Sequence, residues 1–383
     1  MKVLFLSAWY PNRYDAMAGL FVRKHAEAVG LFSEVRVLYV HADEDIDKTE
    51  IVDNTHAGIH ETFVYYPAKS NQLSKLFKLL SAYHKGFMHI SERGFKPDLI
   101  HANVLTRTGF IAYIANKWKG IPFVITEHWS RFLPDNKAFN NIFHKFLTQT
   151  IVRNASSVLV VSELLKKGML KNGLKHHDYR IVNNVVDDFF FNEAHAELRK
   201  VKRLLHISCF EEKSKNICGI LRAIAELSKL RNDFELVIIG TGKDFEMVCE
   251  YEKSLNLRKG LIKFIGEKTP QEVAEWYRNS DGVVQFSNYE TAGVVIAESL
   301  ASGIPVISSN TGIAPDFINK SNGILIEPRD EKALLRAMNY LLDNLDQYDS
   351  AKIKVSAYEY FSYKNVGEKI AAVYLEAVKN RKL

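Results

Sequence analysis

The chain is poor in cysteine, with Cys209, Cys218 and Cys249 alone among 383 residues. An odd number argues against a closed disulfide framework, and the spacings suit neither a metal knuckle nor a redox pair, so a reducing, cytoplasmic setting is expected. Long apolar runs are missing too, and no stretch approaches the roughly eighteen residues that cross a bilayer. The opening MKVLFLSAWYP holds a basic residue and an apolar run but no cleavage site before Pro11-Asn12-Arg13, so it reads as a first buried strand and not as a signal peptide. There is no low-complexity tract and no short-period repeat. Gly240-Thr241-Gly242 lacks the third glycine of a dinucleotide fingerprint, Phe245 standing in its place, which argues against an NAD site. Asp43, Asp45 and Asp47 form overlapping Asp-x-Asp patterns without a nucleotide pocket around them; they read as an acidic surface loop, and no metal is expected. Neither charge sign dominates strongly. A net charge of +6 suits an anionic substrate or a membrane surface and does not point to a nucleic acid.

What is present is ordinary for a globular α/β protein, with 47% apolar and 25% charged residues in a chain long enough for two cores. The most informative stretch is Gln285–Ser308, QFSNYETAGVVIAESLASGIPVIS. An apolar segment from Asp281 to Phe286 reads as a buried strand, followed by a polar turn with Glu290. A helix from about Gly293 to Ser302 ends at Gly303 and Pro305, and a second strand runs from Pro305 to Ser308. The start of that helix presents unpaired N–H groups and positive potential, favourable for a phosphate. Thr291, Ala292 and Gly293 are small enough for a ligand to approach the backbone, with Val294 opening the helix. Glu290 and Glu298, eight residues apart, offer paired acceptor oxygens suited to neighbouring sugar hydroxyls. Phosphate donors with two hydroxyl-binding acids describe a nucleotide-sugar site better than a bare nucleotide site. Taken singly, Glu290 is more often a loop charge, and Glu298 more often a cap or a salt bridge of a surface helix.

Together these residues resemble the signature of retaining glycosyltransferases of family 4. The resemblance implies an α/β chain of the GT-B fold, two Rossmann-like domains whose parallel sheets face a central cleft. It divides the chain into residues 1–190, an acceptor-binding domain, and 200–364, a nucleotide-sugar-binding domain, with a closing helix over about 365–383 packing back on the first. The hinge is expected between Val186 and Lys202, in the polar run from Asn192 to Arg203. The usual Gly-Phe-Gly of the signature loop is Thr291-Ala292-Gly293 here.

Carried along the chain, the resemblance assigns further positions. Lys2–Ser7, a loop to Gly19 and a helix from Leu20 to Val29 form a Rossmann-like start, with Gly19 a candidate for close backbone approach to the donor phosphates and acceptor. His128, in Thr126-Glu127-His128 at a strand's carboxyl end, matches a histidine that faces the donor sugar across the cleft. His101 reads as structural. Lys215 matches a lysine that neutralises the donor diphosphate, while Cys209 occupies the place of its companion arginine. Gly266, Glu267 and Lys268 are expected beside the nucleobase. From Gln72 to Arg93 the spacing predicts a helix with Leu73, Leu76, Phe77, Leu80, Tyr83, Phe87 and Ile90 in one stripe and Lys75, Lys78 and Lys85 toward the other side. Such a helix either covers the sheet with its lysines solvated or lies on an anionic membrane.

The implied activity is transfer of a sugar from a nucleoside diphosphate to a hydroxyl of a saccharide or lipid-linked acceptor, with retention and without a bound metal or other cofactor. A nucleotide-sugar epimerase of the same fold and a catalytically silent sugar-nucleotide-binding subunit remain the alternatives.

Overall fold

The computed structural model describes residues 1–68, 72–133, 139, 141–193 and 201–379. The chain forms two compact units, residues 1–185 with the chain end from 363, and residues 186–362. The division falls a few residues before the boundary read from the sequence, because Val186 and Phe190 are buried in a core of the second unit. Most of the expected linker, residues 194–200, lies outside the described residues, as do 380–383 of the closing helix.

In the first unit the strands are β1 (Lys2–Ser7), β2 (Glu34–Asp43), β3 (Glu50–His56), β4 (Ile59–Pro67), β5 (Leu99–Asn103), β6 (Phe123–Glu127), β7 (Ser157–Val160) and β8 (Tyr179–Ile181). Their order in the sheet is β3-β4-β2-β1-β5-β6-β7-β8, parallel throughout except for the β3–β4 hairpin. Every residue of β5 and β6 is buried, as expected of central strands covered on both faces. The hairpin turns at Ala57 and Gly58, both at positive φ, the geometry that two-residue hairpin turns require. The helices are α1 (Leu20–Gly30), α2 (Gln72–Glu92), α3 (Arg107–Lys119), α4 (Ile142–Asn154) and α5 (Glu163–Lys171). The β1–β2 connection steps one way along the sheet and those from β4 through β7 step the other way. Right-handed crossovers therefore put α1 on one face and α2, α3 and α4 together on the opposite face.

The acidic-loop reading needs correction at one position. Asp43 ends β2 with its side chain buried and paired with Arg13, while Asp45 and Asp47 are exposed as expected. The α2 stripe also divides. Tyr83 and Ile90 pack inward, whereas Leu76 and Phe77 remain exposed.

The second unit has β9 (Lys202–Ile207), β10 (Phe234–Ile239), β11 (Ile262–Gly266), β12 (Gly282–Gln285), β13 (Val306–Ser309) and β14 (Gly323–Ile326), all parallel in the order β11-β10-β9-β12-β13-β14. Its helices are α6 (Glu212–Lys215), α7 (Ile217–Leu230), α8 (Phe245–Ser254), α9 (Pro270–Arg278), α10 (Val294–Ala301), α11 (Ala314–Phe317), α12 (Glu331–Asp343) and α13 (Ser350–Phe361). One core packs α7 and α12 on the sheet, and another packs α9, α10 and α13. The last helix, α14 (Tyr363–Lys379), belongs to the first unit. Its Val366, Ile370 and Tyr374 join that core, and Gly367 lets the backbone sit where a Cβ would lie 2.1 Å from the Ala28 carbonyl oxygen. No helix among the described residues is long and apolar enough to cross a membrane.

Candidate functional site

In the second unit, successive strands run outward from β9 through β10 to β11, and from β12 through β13 to β14 in the other direction. The order thus reverses between β9 and β12, and the loops leaving those two strands diverge at their carboxyl ends. That switch point is where open α/β sheets bind ligands. Lys215 follows β9 and Glu290 follows β12, so two residues 75 apart in sequence flank it.

Hydrogen bonds lock the two loops together. The Asn288 N–H donates to the Ser214 carbonyl at 2.7 Å, and Asn288 Nδ2 donates to the Lys213 carbonyl at 3.0 Å. Lys215 Nζ forms an ion pair with Glu290 Oε1, which also accepts from Ser287 Oγ at 3.0 Å. Burial works against the lysine's charge. Attraction to Glu290, with smaller contributions from Cys209 and Glu211, outweighs it and raises the Lys215 pKa. The ammonium therefore stays charged. It has three N–H donors, so one given to Glu290 leaves others for phosphate oxygens.

Beyond Glu290 the turn ends at Gly293, which opens α10 at φ 72° without a side-chain cap of its own. Gly312, after β13, closes the turn from behind. A Cβ there would stand 3.0 Å from both the Ala292 carbonyl oxygen and Glu290 Cβ, and Ile313 N–H donates to that same carbonyl at 3.0 Å. Sequence reasoning missed Gly312; its signal was the Thr311-Gly312 pair directly after a strand. Arg329 was missed as well, and its Nε donates to Asn288 Oδ1 at 3.1 Å on the same turn. Cys209 is exposed and supplies no charge of the kind an arginine would.

Glu298, half-buried on α10, is oriented by Tyr277 of α9. The fully buried phenol donates to Glu298 Oε2 at 3.2 Å and approaches the Val295 carbonyl at 3.1 Å. Burial first, then the Glu298 charge, pushes the Tyr277 pKa well above its usual value, so the phenol remains a donor. Nothing in the sequence marked Tyr277, because a tyrosine on the buried stripe of a helix looks like core. Thr291, Ala292 and Val294 line the Glu290–Glu298 turn, each half-buried. Gly266 ends β11 at φ 76°, and Glu267 and Lys268 leave the same carboxyl edge, Glu267 exposed and Lys268 engaged with Glu272 at 3.5 Å.

Gly19 and His128 lie in the first unit. Gly19 caps α1 at φ 61°, and a Cβ there would stand 2.1 Å from the Trp9 carbonyl oxygen. The close approach that this glycine permits is by the chain itself. His128 is 8% exposed, with the Phe21 ring at 4.5 Å and the His25 ring at 5.5 Å, and neither ring nitrogen has a hydrogen-bond partner among the described residues. Burial, reinforced by His25 and His101, holds its pKa well below the usual histidine range. The buried Glu127 carboxylate shapes its turn by accepting N–H bonds from Leu105, His128 and Trp129 at 2.8–3.0 Å. His101 is spent on Tyr374 and Thr126, at 2.5 and 2.6 Å. The first unit has its own switch point between β1 and β5, where a cavity of about 490 Å³ is lined by Trp9, Asn12, Tyr14, Arg107 and Trp129. Among the described residues no group of three or more His, Cys, Asp or Glu is placed to hold a metal ion.

Two Rossmann-like units, each built on a largely parallel sheet, are the architecture of a glycosyltransferase of GT-B type. The same architecture appears in sucrose-phosphate synthase from Thermosynechococcus elongatus, with a TM-score of 0.76 and 18% identity over 99% of this chain and 100% of that one. Anabaena Alr3699/HepE in complex with UDP matches with a TM-score of 0.75 and 17% identity, covering 98% and 100%. Family models meet at residue 188: Glycosyltransferase Family 4 matches residues 29–188, and Glycosyl transferases group 1 matches 188–357. The chain belongs to glycosyltransferase family 4. Among curated relatives, N-acetyl-alpha-D-glucosaminyl L-malate synthase of Bacillus anthracis is 25% identical over 300 residues, 74% of this chain and 76% of its own. Alpha-monoglucosyldiacylglycerol synthase of Streptococcus pneumoniae is 25% identical over 318 residues, 77% and 70%.

Proposed function

We propose that this glycosyltransferase is retaining and moves a hexosyl group from a nucleoside diphosphate sugar to a hydroxyl of a saccharide or lipid-linked acceptor, in building the cell envelope or an exopolysaccharide. The observation that carries the reading is the Lys215–Glu290 pair at the strand-order reversal, beside the uncapped start of α10. The names of the relatives, which join sugars to malate or to a diacylglycerol, and a fold neighbour holding UDP support it.

In this reading Lys215 and the first N–H groups of α10 hold the diphosphate and stabilise the charge that grows on it as the C1–O bond breaks. Glu298, fixed by Tyr277, accepts from the ribose hydroxyls. Glu290 accepts from hydroxyls of the transferred sugar and favours positive charge on its ring. His128 of the first unit is neutral, and neither ring nitrogen has a partner among the described residues, so it can donate or accept a hydrogen bond to a ligand bound by that unit. Gly266, Glu267 and Lys268 meet the base. The acceptor oxygen attacks the face that the phosphate leaves, and its proton passes to the departing phosphate oxygen. A covalent intermediate is not part of this route, which differs from the two-carboxylate scheme of retaining glycosidases. No metal enters the proposed mechanism, since the cations named are the protein's own.

A thermal-shift panel of nucleotide sugars identifies the donor by the rise in melting temperature. With that donor, Glu298→Ala loses affinity, whereas Glu290→Ala loses turnover more than binding. Wild-type kinetics in both variants sink the assignment. Conversion of donor without acceptor points instead to an epimerase, and binding with no transfer to any acceptor points to a silent subunit.

A further inference from the structure

We propose that the face formed by α2, α3 and α4 docks on an anionic lipid bilayer and takes a hydrocarbon chain into the groove between α2 and α3. The first observation is where large apolar side chains are left in solvent. Phe77 of α2 is 74% exposed, Trp118 of α3 is 84% exposed, and Ile142, Phe143 and Phe146 of α4 are 80%, 88% and 69% exposed. The three helices cover one face of the first unit's sheet, so these residues are not scattered. A concentration of this kind is rare on a surface that meets only water.

The second observation is a groove among them. Phe77, Leu80, Phe87, Ile111, Ile114 and Trp118 line a cavity of about 440 Å³ between α2 and α3. Polar groups are scarce along it, so a sugar or nucleotide would find few partners there, whereas an acyl chain needs none.

Charge selects the occupant. Lys75, Lys78 and Lys85 lie on α2, Lys117 and Lys119 on α3, and Lys145 on α4. Glu92, at the end of α2, is the only carboxylate in the three helices. Lys75, Lys85, Lys117, Lys119 and Lys145 have no carboxylate partner among the described residues. Two copies of this face would repel each other. Exposed apolar side chains on helices that also carry these lysines match the boundary between anionic headgroups and acyl chains, with lysine stems able to reach the phosphates. The contact is peripheral, since no described helix can span a bilayer. It does not rest on the donor site and stands or falls separately from it.

The test is co-sedimentation of the full chain with vesicles of phosphatidylcholine, with and without phosphatidylglycerol. Partitioning is expected to be at least about tenfold stronger on the anionic vesicles and to fade between about 50 mM and about 500 mM salt. The Trp118→Ser, Phe143→Ser double variant should lose about tenfold or more while keeping its melting temperature, because both side chains are solvent-exposed. Lys75→Glu with Lys119→Glu should lose as much on anionic vesicles and nothing on neutral ones. Equal binding to both vesicle types, no binding to either, or a double variant that binds as the parent does overturns the proposal. A wild-type chain that ignores vesicles and sediments as a dimer through this face also overturns it.

Discussion

Replacing Lys215 with methionine keeps the stem of the side chain and removes one charge. At contact distance the attraction between Lys215 and Glu290 is about 4 kcal/mol gross at the effective dielectric of a protein surface. Both side chains are only 18% exposed, so each has given up much of its hydration and most of that gain is offset. A net loss of about 1–2 kcal/mol remains, since among the described residues Glu290 keeps only the Ser287 hydroxyl. Stability alone would not distinguish a structural pair from a catalytic one. Donor binding would, because a phosphate oxygen that loses a charged donor forfeits about 1.5–3 kcal/mol, or roughly 10- to 100-fold in affinity. The chemical step should suffer further, by about 10²- to 10³-fold in turnover, since charge on the leaving diphosphate grows in the transition state. The raised pKa sets the pH window. The stability that the charged lysine contributes is full below the ordinary lysine range and is lost as pH climbs through its elevated value. Calorimetry with the donor from the thermal-shift panel and denaturation of the same sample supply both numbers. A folded Lys215→Met variant that binds donor within about twofold of the parent refutes the reasoning, whatever its stability.

Tyr277→Phe removes the hydroxyl that steers Glu298 and should raise KM for the donor about 5- to 20-fold with kcat nearly unchanged; a fall in kcat alone would contradict the positioning role. Gly19→Ala forces a Cβ to within 2.1 Å of the Trp9 carbonyl oxygen at φ 61° and should cost at least about 2 kcal/mol in urea denaturation of the first unit, so an unchanged midpoint would show that the loop yields freely. His25 and His206 are buried neutral, each with its pKa pushed down by burial to about 4. Folding therefore opposes protonation, and stability should be full above pH 6.5 and fall toward pH 4, by up to about 3 kcal/mol per histidine. His25→Gln should flatten that slope in pH-resolved denaturation, and an unaltered slope would place the titration elsewhere.

Much of the fold was legible because central parallel strands must be apolar on both faces. Val3–Ser7, Phe123–Glu127 and Phe234–Ile239 are continuous buried runs that no exposed element could carry. The turn from Glu290 to Glu298 was legible for a different reason: strand, small residues, helix and glycine stop agree with one another along a single stretch. The β3–β4 hairpin was not, since Glu50–His56 runs along an edge with nearly every side chain in solvent and shows no alternation to read.

Local pattern in the chain thus determined which segments are strands and helices, and which carboxylates can stand near a helix start. Only tertiary structure decided what those groups meet. Strand order brought Lys215 to Glu290 across 75 residues, packing of α9 on α10 set Tyr277 against Glu298, and Gly312 filled in behind the turn. It also decided that Tyr83 and Ile90 of the α2 stripe are core while Leu76 and Phe77 are surface. Periodicity reports which side chains share a face, whereas the partner of that face is set by residues far away along the chain.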